Sequence, residues 1–126
     1  MRAIDTNVLV RLLERDDAKQ VAAAERFVEG GAWVSHLVLM EAAWVLDSVY
    51  DLAPAAIATA TEMLLVHKNL TLEKTEVVAA AIAQFREKPA LGFSDCLIVA
   101  AARQAGHVPV GTFDRELAKL DDVQRL

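Results

Sequence analysis

The chain is poor in the residues that would make its function obvious. A single cysteine in 126 residues, Cys96, excludes a disulfide within the chain and every Cys-x-x-Cys zinc pattern. It suits a reducing compartment. Proline occurs three times and glycine five times, and aromatic residues make up 6%. With no repeat and no low-complexity tract, one domain spanning 1–126 is expected. No apolar run is long enough to span a bilayer, and no basic stretch followed by an apolar core opens the chain. A cytoplasmic protein without a membrane partner is the expectation. Positive charge is also in deficit, with 13 Lys and Arg against 18 Asp and Glu for a net charge of −5. That argues against bulk electrostatic capture of nucleic acid. A bound cation can still reverse the field at one site, so a nucleic-acid enzyme stays open.

Hydrophobic residues are abundant at 55%, many of them alanine, so helices should dominate. Residues 2–5 read as a strand, and Asn7–Arg15 as a short amphipathic helix. Asp16 and Asp17 mark a turn and a cap before a helix over 18–29, which Gly30 and Gly31 stop. A strand follows at Ala32–Ser35, then an apolar helix over 37–50. Pro54 starts a helix reaching about Lys68. Leu70–Leu72 is a strand, Lys74–Glu87 a helix, and Pro89 and Gly92 break the pattern. Ser94 is placed to cap a helix over 95–105. Val108–Thr112 reads as a strand, 115–120 as a short helix, and 123–126 as an edge strand. Strands alternating with helices imply an α/β fold with a parallel sheet.

Four acids stand out. Asp5 and Asp114 each follow a strand, Glu41 lies within an apolar helix, and Asp95 opens another. The carboxyl edge of a parallel sheet is where ligands collect, and all four could converge there. Ordinary roles compete for each: Asp5 and Asp114 suit helix caps, and Asp95 suits the positive end of a helix dipole. Glu41 is framed by Leu37, Val38, Trp44 and Val45, which predicts a carboxylate drawn inward, where charge needs a partner or a metal. Glu62 ranks below it because small neighbours such as Ala58 leave a route to solvent.

Asp5-Thr6-Asn7 after an opening strand, Glu41 in an apolar helix, Phe93-Ser94-Asp95 and Thr112-Phe113-Asp114 together resemble the motifs of the PIN-domain family. Size and order are similar to the VapC-type toxins of toxin–antitoxin pairs. The resemblance runs from Asp5 to Asp114. It implies a three-layer α/β/α sandwich around a mainly parallel sheet. It also implies a divalent-metal ribonuclease with catalytic acids Asp5, Glu41, Asp95 and Asp114, supported by Asn7 and Thr112. A cluster of carboxylates cannot remain ionised together without positive charge, and Mg²⁺ or Mn²⁺ prefers such hard oxygen donors. Asp5, Asp95 and Asp114 are assigned to the metal, and Glu41 to a bound water. The implied partners are RNA, a cognate antitoxin and a second copy in a homodimer. Leu9, Leu12, Leu13 and Phe27 are expected as walls of the antitoxin groove.

Arg11, Arg15, Arg86, Lys88 and Arg115 are candidate phosphate contacts, with plain solvation as the competing role. His36, His67 and His107 show no ligand spacing, and Cys96 has no histidine in a pairing motif. Trp33 and Trp44 are expected in the core or an interface. Two other classes remain at this stage: a phosphatase with Asp5 as nucleophile, which would want an acid where Asn7 stands, and a non-catalytic module whose acids bind a basic partner.

Overall fold

The computed structural model describes residues 1–126. Strands β1 (Arg2–Ala3), β2 (Ala32–Val34) and β3 (Leu70–Leu72) form a parallel sheet in the order β1-β2-β3. Ala3 pairs with Trp33, and Trp33 with Thr71. A second parallel ladder joins β4 (Val110–Thr112) to β5 (Val123–Arg125). Parallel neighbours need crossovers, and helices supply those of the first sheet. The helices are α1 (Thr6–Glu14), α2 (Ala18–Val28), α3 (His36–Ser48), α4 (Pro54–Leu65), α5 (Thr75–Glu87) and α6 (Phe93–Ala105). The α/β architecture expected from the alternation is the one observed.

Local chemistry sets the helix starts. The side chains of Asp5, Asp17 and Ser35 accept from the amides of Val8, Gln20 and Val38, each three residues on. These bonds satisfy donors that a first turn leaves unpaired. Pro54 opens α4, where its missing N–H costs nothing. Gly92 takes φ +81°, a conformation that side-chain-bearing residues rarely adopt, and α6 begins directly after it.

Several boundaries differ from the sequence expectation. The first strand ends at Ala3, although the Ile4 amide still donates to Trp33 O at 3.2 Å, because Asp5 turns to cap α1. Gly92, and not Ser94, holds the N-cap position of α6. The helix expected over 115–120 is a single 3₁₀ turn, Leu117–Lys119.

The core gathers the buried face of each element. Leu9 of α1, Leu39 and Leu46 of α3, and Leu97 of α6 are fully enclosed. Ala32, Val34, Leu70 and Leu72 line the buried face of the first sheet, while Trp33 points the other way and is part-exposed. Helix α3 packs against α1, α4 and α6, so it bridges the β1 end of the molecule to the α6 end.

Candidate functional site

Two of the acids are positioned by local devices of their own. Asp5 caps α1 through Oδ1, which accepts from Val8 N at 3.0 Å. Asp114 holds its own loop: Oδ1 accepts from Glu116 N at 2.8 Å and Leu117 N at 3.1 Å, while its own amide donates to Thr112 Oγ1 at 3.0 Å. The competing cap roles are therefore real. They also fix one oxygen of each carboxylate against the backbone and leave Oδ2 without a bond from the chain. Thr112 thus acts by orienting the Asp114 loop.

Glu41 departs from expectation. It is exposed, because Leu37 and Trp44 on its face of α3 are themselves 80% and 61% exposed and form no core around it. Its anchor is Thr6, whose hydroxyl donates to Glu41 Oε1 and ties the start of α1 to α3. Thr6 is one of only two buried polar residues, at 9% exposure. In the sequence Thr6 reads only as part of the Asp5-Thr6-Asn7 capping triplet, which gives no sign of its bond to Glu41. The one signal, for its burial, is a threonine directly behind the Asp5 cap, a position that turns inward at the start of a helix.

Asp95 is the unsupported acid. It lies half-buried in the first turn of α6, where the helix dipole ordinarily favours an ionised carboxylate. Burial nevertheless pushes its carboxyl above the usual range, and the charge of Asp114 adds to the effect. Asp95 and Asp114 are therefore within electrostatic reach across α6 and the β4 loop. A pocket of about 290 Å³ opens beside Asp95, between Trp44 of α3 and the Pro89–Leu91 turn.

The four acids thus fall into two linked sets, Asp5 with the Thr6–Glu41 bond and Asp95 with Asp114. The α3–α6 packing joins them. No group of three or more His, Cys, Asp or Glu side chains stands close enough to enclose a metal ion. In kind, the donors suit a hard divalent cation: carboxylate oxygens, with no thiolate or imidazole among them. The mutual repulsion of Asp95 and Asp114 is what such a cation would relieve. Asn7 is exposed beside Asp5, in the lining of another pocket.

The candidate cations divide sharply. Arg11 bonds to Asp16, Tyr50 and Gln20; Arg15 pairs with Glu25; Arg86 bonds to Glu62 and Thr59. The Arg86 pairing also explains Glu62, an exposed acid with a surface partner. Lys88 and Arg115 make no ion pair within the chain, and each adjoins a site segment, the Pro89–Leu91 turn and Asp114.

Other candidates keep ordinary roles. His36 binds the backbone and side chain of Glu73, and His67 Nδ1 accepts from Asn69 N. Cys96 is buried, and burial pushes its thiol up to about 11. Trp33 and Trp44 lie outside the core, contrary to one reading of them. Leu9 is core and lines no groove, whereas Leu12 and Leu13 border a pocket of about 450 Å³ with Met63 and Leu64. Phe27 lines a different pocket, beside Asp5.

Comparison with curated proteins and with solved structures returned no match. The family profile described as PIN domain matches residues 3–123, a span that takes in every acid described above. Proteins of this fold are generally nucleases acting on RNA or DNA, and they generally use divalent metals. No helix is long and apolar enough to cross a membrane. From the opening strand to the last ladder, this chain belongs to the PIN domain family.

Proposed function

We propose that this protein is a divalent-metal-dependent endoribonuclease, acting in the cytoplasm as the toxin of a toxin–antitoxin pair. The observation that carries the reading is Asp95: a half-buried carboxylate with no hydrogen bond from the chain, pushed toward its neutral form by burial and by Asp114. A merely structural acid at a helix start would be stabilised in its charged form. This one is kept in tension, as a ligand awaiting a cation would be.

Asp95 and Asp114, which already act on one another, would hold Mg²⁺ or Mn²⁺, and Asp5 would have to draw closer to join them. When bound, such an ion polarises the phosphodiester and lowers the pKa of an attacking water. The chain's own residues have separable tasks. Asp5 and Asp114 each offer a free Oδ2 while Oδ1 stays on the backbone, so each carboxylate is held without being used up. Glu41, fixed through Oε1 by Thr6, presents Oε2 to orient and deprotonate water. Of the five candidate cations, Lys88 and Arg115 are the two without a partner in the chain and so free to meet phosphate oxygens.

The partner assignments extend the same reading. An antitoxin would place an apolar segment in the Leu12, Leu13 and Met63 pocket and a basic side chain against the acids. The toxin itself is proposed as a homodimer, for which light scattering should return twice the mass of one chain.

The test is cleavage of single-stranded RNA by purified protein with Mg²⁺ or Mn²⁺. Cleavage should stop with EDTA and in Asp5→Asn and Asp95→Asn, both folded by circular dichroism. Persistent metal-independent cleavage in those variants, with contaminating nuclease removed, would overturn the proposal.

A further inference from the structure

We propose that the pocket beside Asp5 is a base-selecting subsite, in which the held amide of Gln20 favours bases carrying a keto group over bases carrying an amino group at the same ring position. The inference rests on the nuclease reading of Asp5 and extends it to substrate choice.

An open pocket of about 370 Å³ lies between α1 and α2. That volume is at the small end of ligand sites, which combine apolar walls with a few placed polar groups. Asp5, Asn7, Arg11 and Gln20 form its polar side, and Ala23, Ala24 and Phe27 its apolar side. The Phe27 ring is held by Arg2. The guanidinium of Arg2 sits 3.8 Å from its centroid and donates to Phe27 O at 2.8 Å. Aromatic rings and guanidinium planes are the surfaces on which single-stranded bases stack.

Selection comes from Gln20. Arg11 Nε donates to Gln20 Oε1. A guanidinium can only donate, so the amide oxygen must face Arg11 and the amide nitrogen must face away. Arg11 is itself fixed: its Nη1 donates to Asp16 Oδ1 at 3.1 Å and to Tyr50 Oη at 2.9 Å, and Tyr50 Oη donates to Asp16 Oδ2 at 2.8 Å. The Gln20 backbone is anchored as well, by the Asp17 cap. What Gln20 presents beyond Arg11 is therefore an N–H edge. It can bond to O4 of uracil or O6 of a 6-keto purine, and it opposes the amino group that cytosine or adenine carries there. An apolar peptide would cover the Ala23, Ala24 and Phe27 walls but leave the Gln20 amide donor unmatched, whereas a base can meet both.

The experiment measures affinity by fluorescence anisotropy for oligo(U) against oligo(C) of equal length. A second pair differs only by inosine in place of adenine. The Asp95→Asn protein is used, in Mg²⁺, so that no strand is cut. The expected result is about a tenfold preference for the keto partner in each pair, the scale of one hydrogen bond gained against one donor left unmatched. Gln20→Met should abolish the preference and Gln20→Glu should reverse it. Tyr50→Phe should weaken it by loosening Arg11, with Gln20 still present. Thermal melts of each variant within a few degrees of the parent show that folding is intact. Equal affinity for both members of each pair, or a preference that survives Gln20→Met, overturns the inference. Cleavage of the same oligonucleotides by the unsubstituted protein separates the two claims. Cutting without discrimination leaves the nuclease reading standing and sinks the subsite, and discrimination without cutting does the reverse.

Discussion

The Thr6 hydroxyl donates to Glu41 Oε1, joining two residues 35 positions apart and fixing the start of α1 against α3. Because Glu41 is otherwise exposed, this bond decides where its second oxygen points. Thr6→Val keeps the shape and removes the donor. It should lower kcat about tenfold with little change in KM, since a hydrogen bond to a charged group contributes about 1.5–3 kcal/mol. Thr6→Ser should restore most of the rate. An unchanged kcat in Thr6→Val would show that Glu41 needs no such support.

Asp95 makes stability depend on pH in a defined direction. Its folded carboxyl holds its proton to higher pH than the unfolded chain does. The resulting contribution to stability is complete below the ordinary Asp range and is lost as pH rises through the folded value. At neutral pH the ionised side chain therefore costs stability, and Asp95→Asn should raise the melting temperature by a few degrees. The gain should shrink as the pH falls toward 4, the region where both states of the parent take up the proton. A variant that melts lower than the parent at pH 7 would contradict the cause assigned to the shift. Divalent cation should raise the melting temperature of the parent and leave Asp95→Asn nearly unmoved.

The cations should separate by their present partners. Lys88→Ala and Arg115→Ala should each weaken RNA binding and reduce the slope of log affinity against log salt by roughly one-half to one unit, as expected for one lost phosphate contact on a single strand. Arg11→Ala should instead lower the melting temperature, because it unties Asp16, Tyr50 and Gln20 together. Filter binding across a salt series and a thermal melt read both outcomes. Equal salt slopes in all three variants would remove Lys88 and Arg115 from the RNA path.

Cys96 should be inert in the native protein. It is 1% exposed, and its thiol is pushed up to about 11, so thiolate is scarce at neutral pH. Alkylation at pH 8 should be slow enough to follow global unfolding, and denaturant should speed it greatly. Rapid labelling without denaturant would mean that α6 opens locally.

Much of the fold was legible in the sequence because it depends on near neighbours. The alternation of strand and helix, the Asp17 and Ser35 caps and the Pro54 start all follow from residues within a turn of one another. The placement of Asp5, Asp95 and Asp114 at the ends of strands or helices was legible for the same reason. Local pattern failed where neighbours in space were needed. Leu37 and Trp44 framed Glu41 in sequence and suggested burial, yet nothing packs over them, and the residue that holds Glu41 is Thr6. Arg11 and Arg15 looked like free cations until Asp16, Tyr50 and Glu25 proved to face them. The sequence by itself determined which carboxylates exist and which elements carry them, because capping and periodicity are short-range. Only the tertiary structure decided which oxygens are pinned and which cations are spent, because hydrogen bonds and burial depend on what the chain brings back from far along its length.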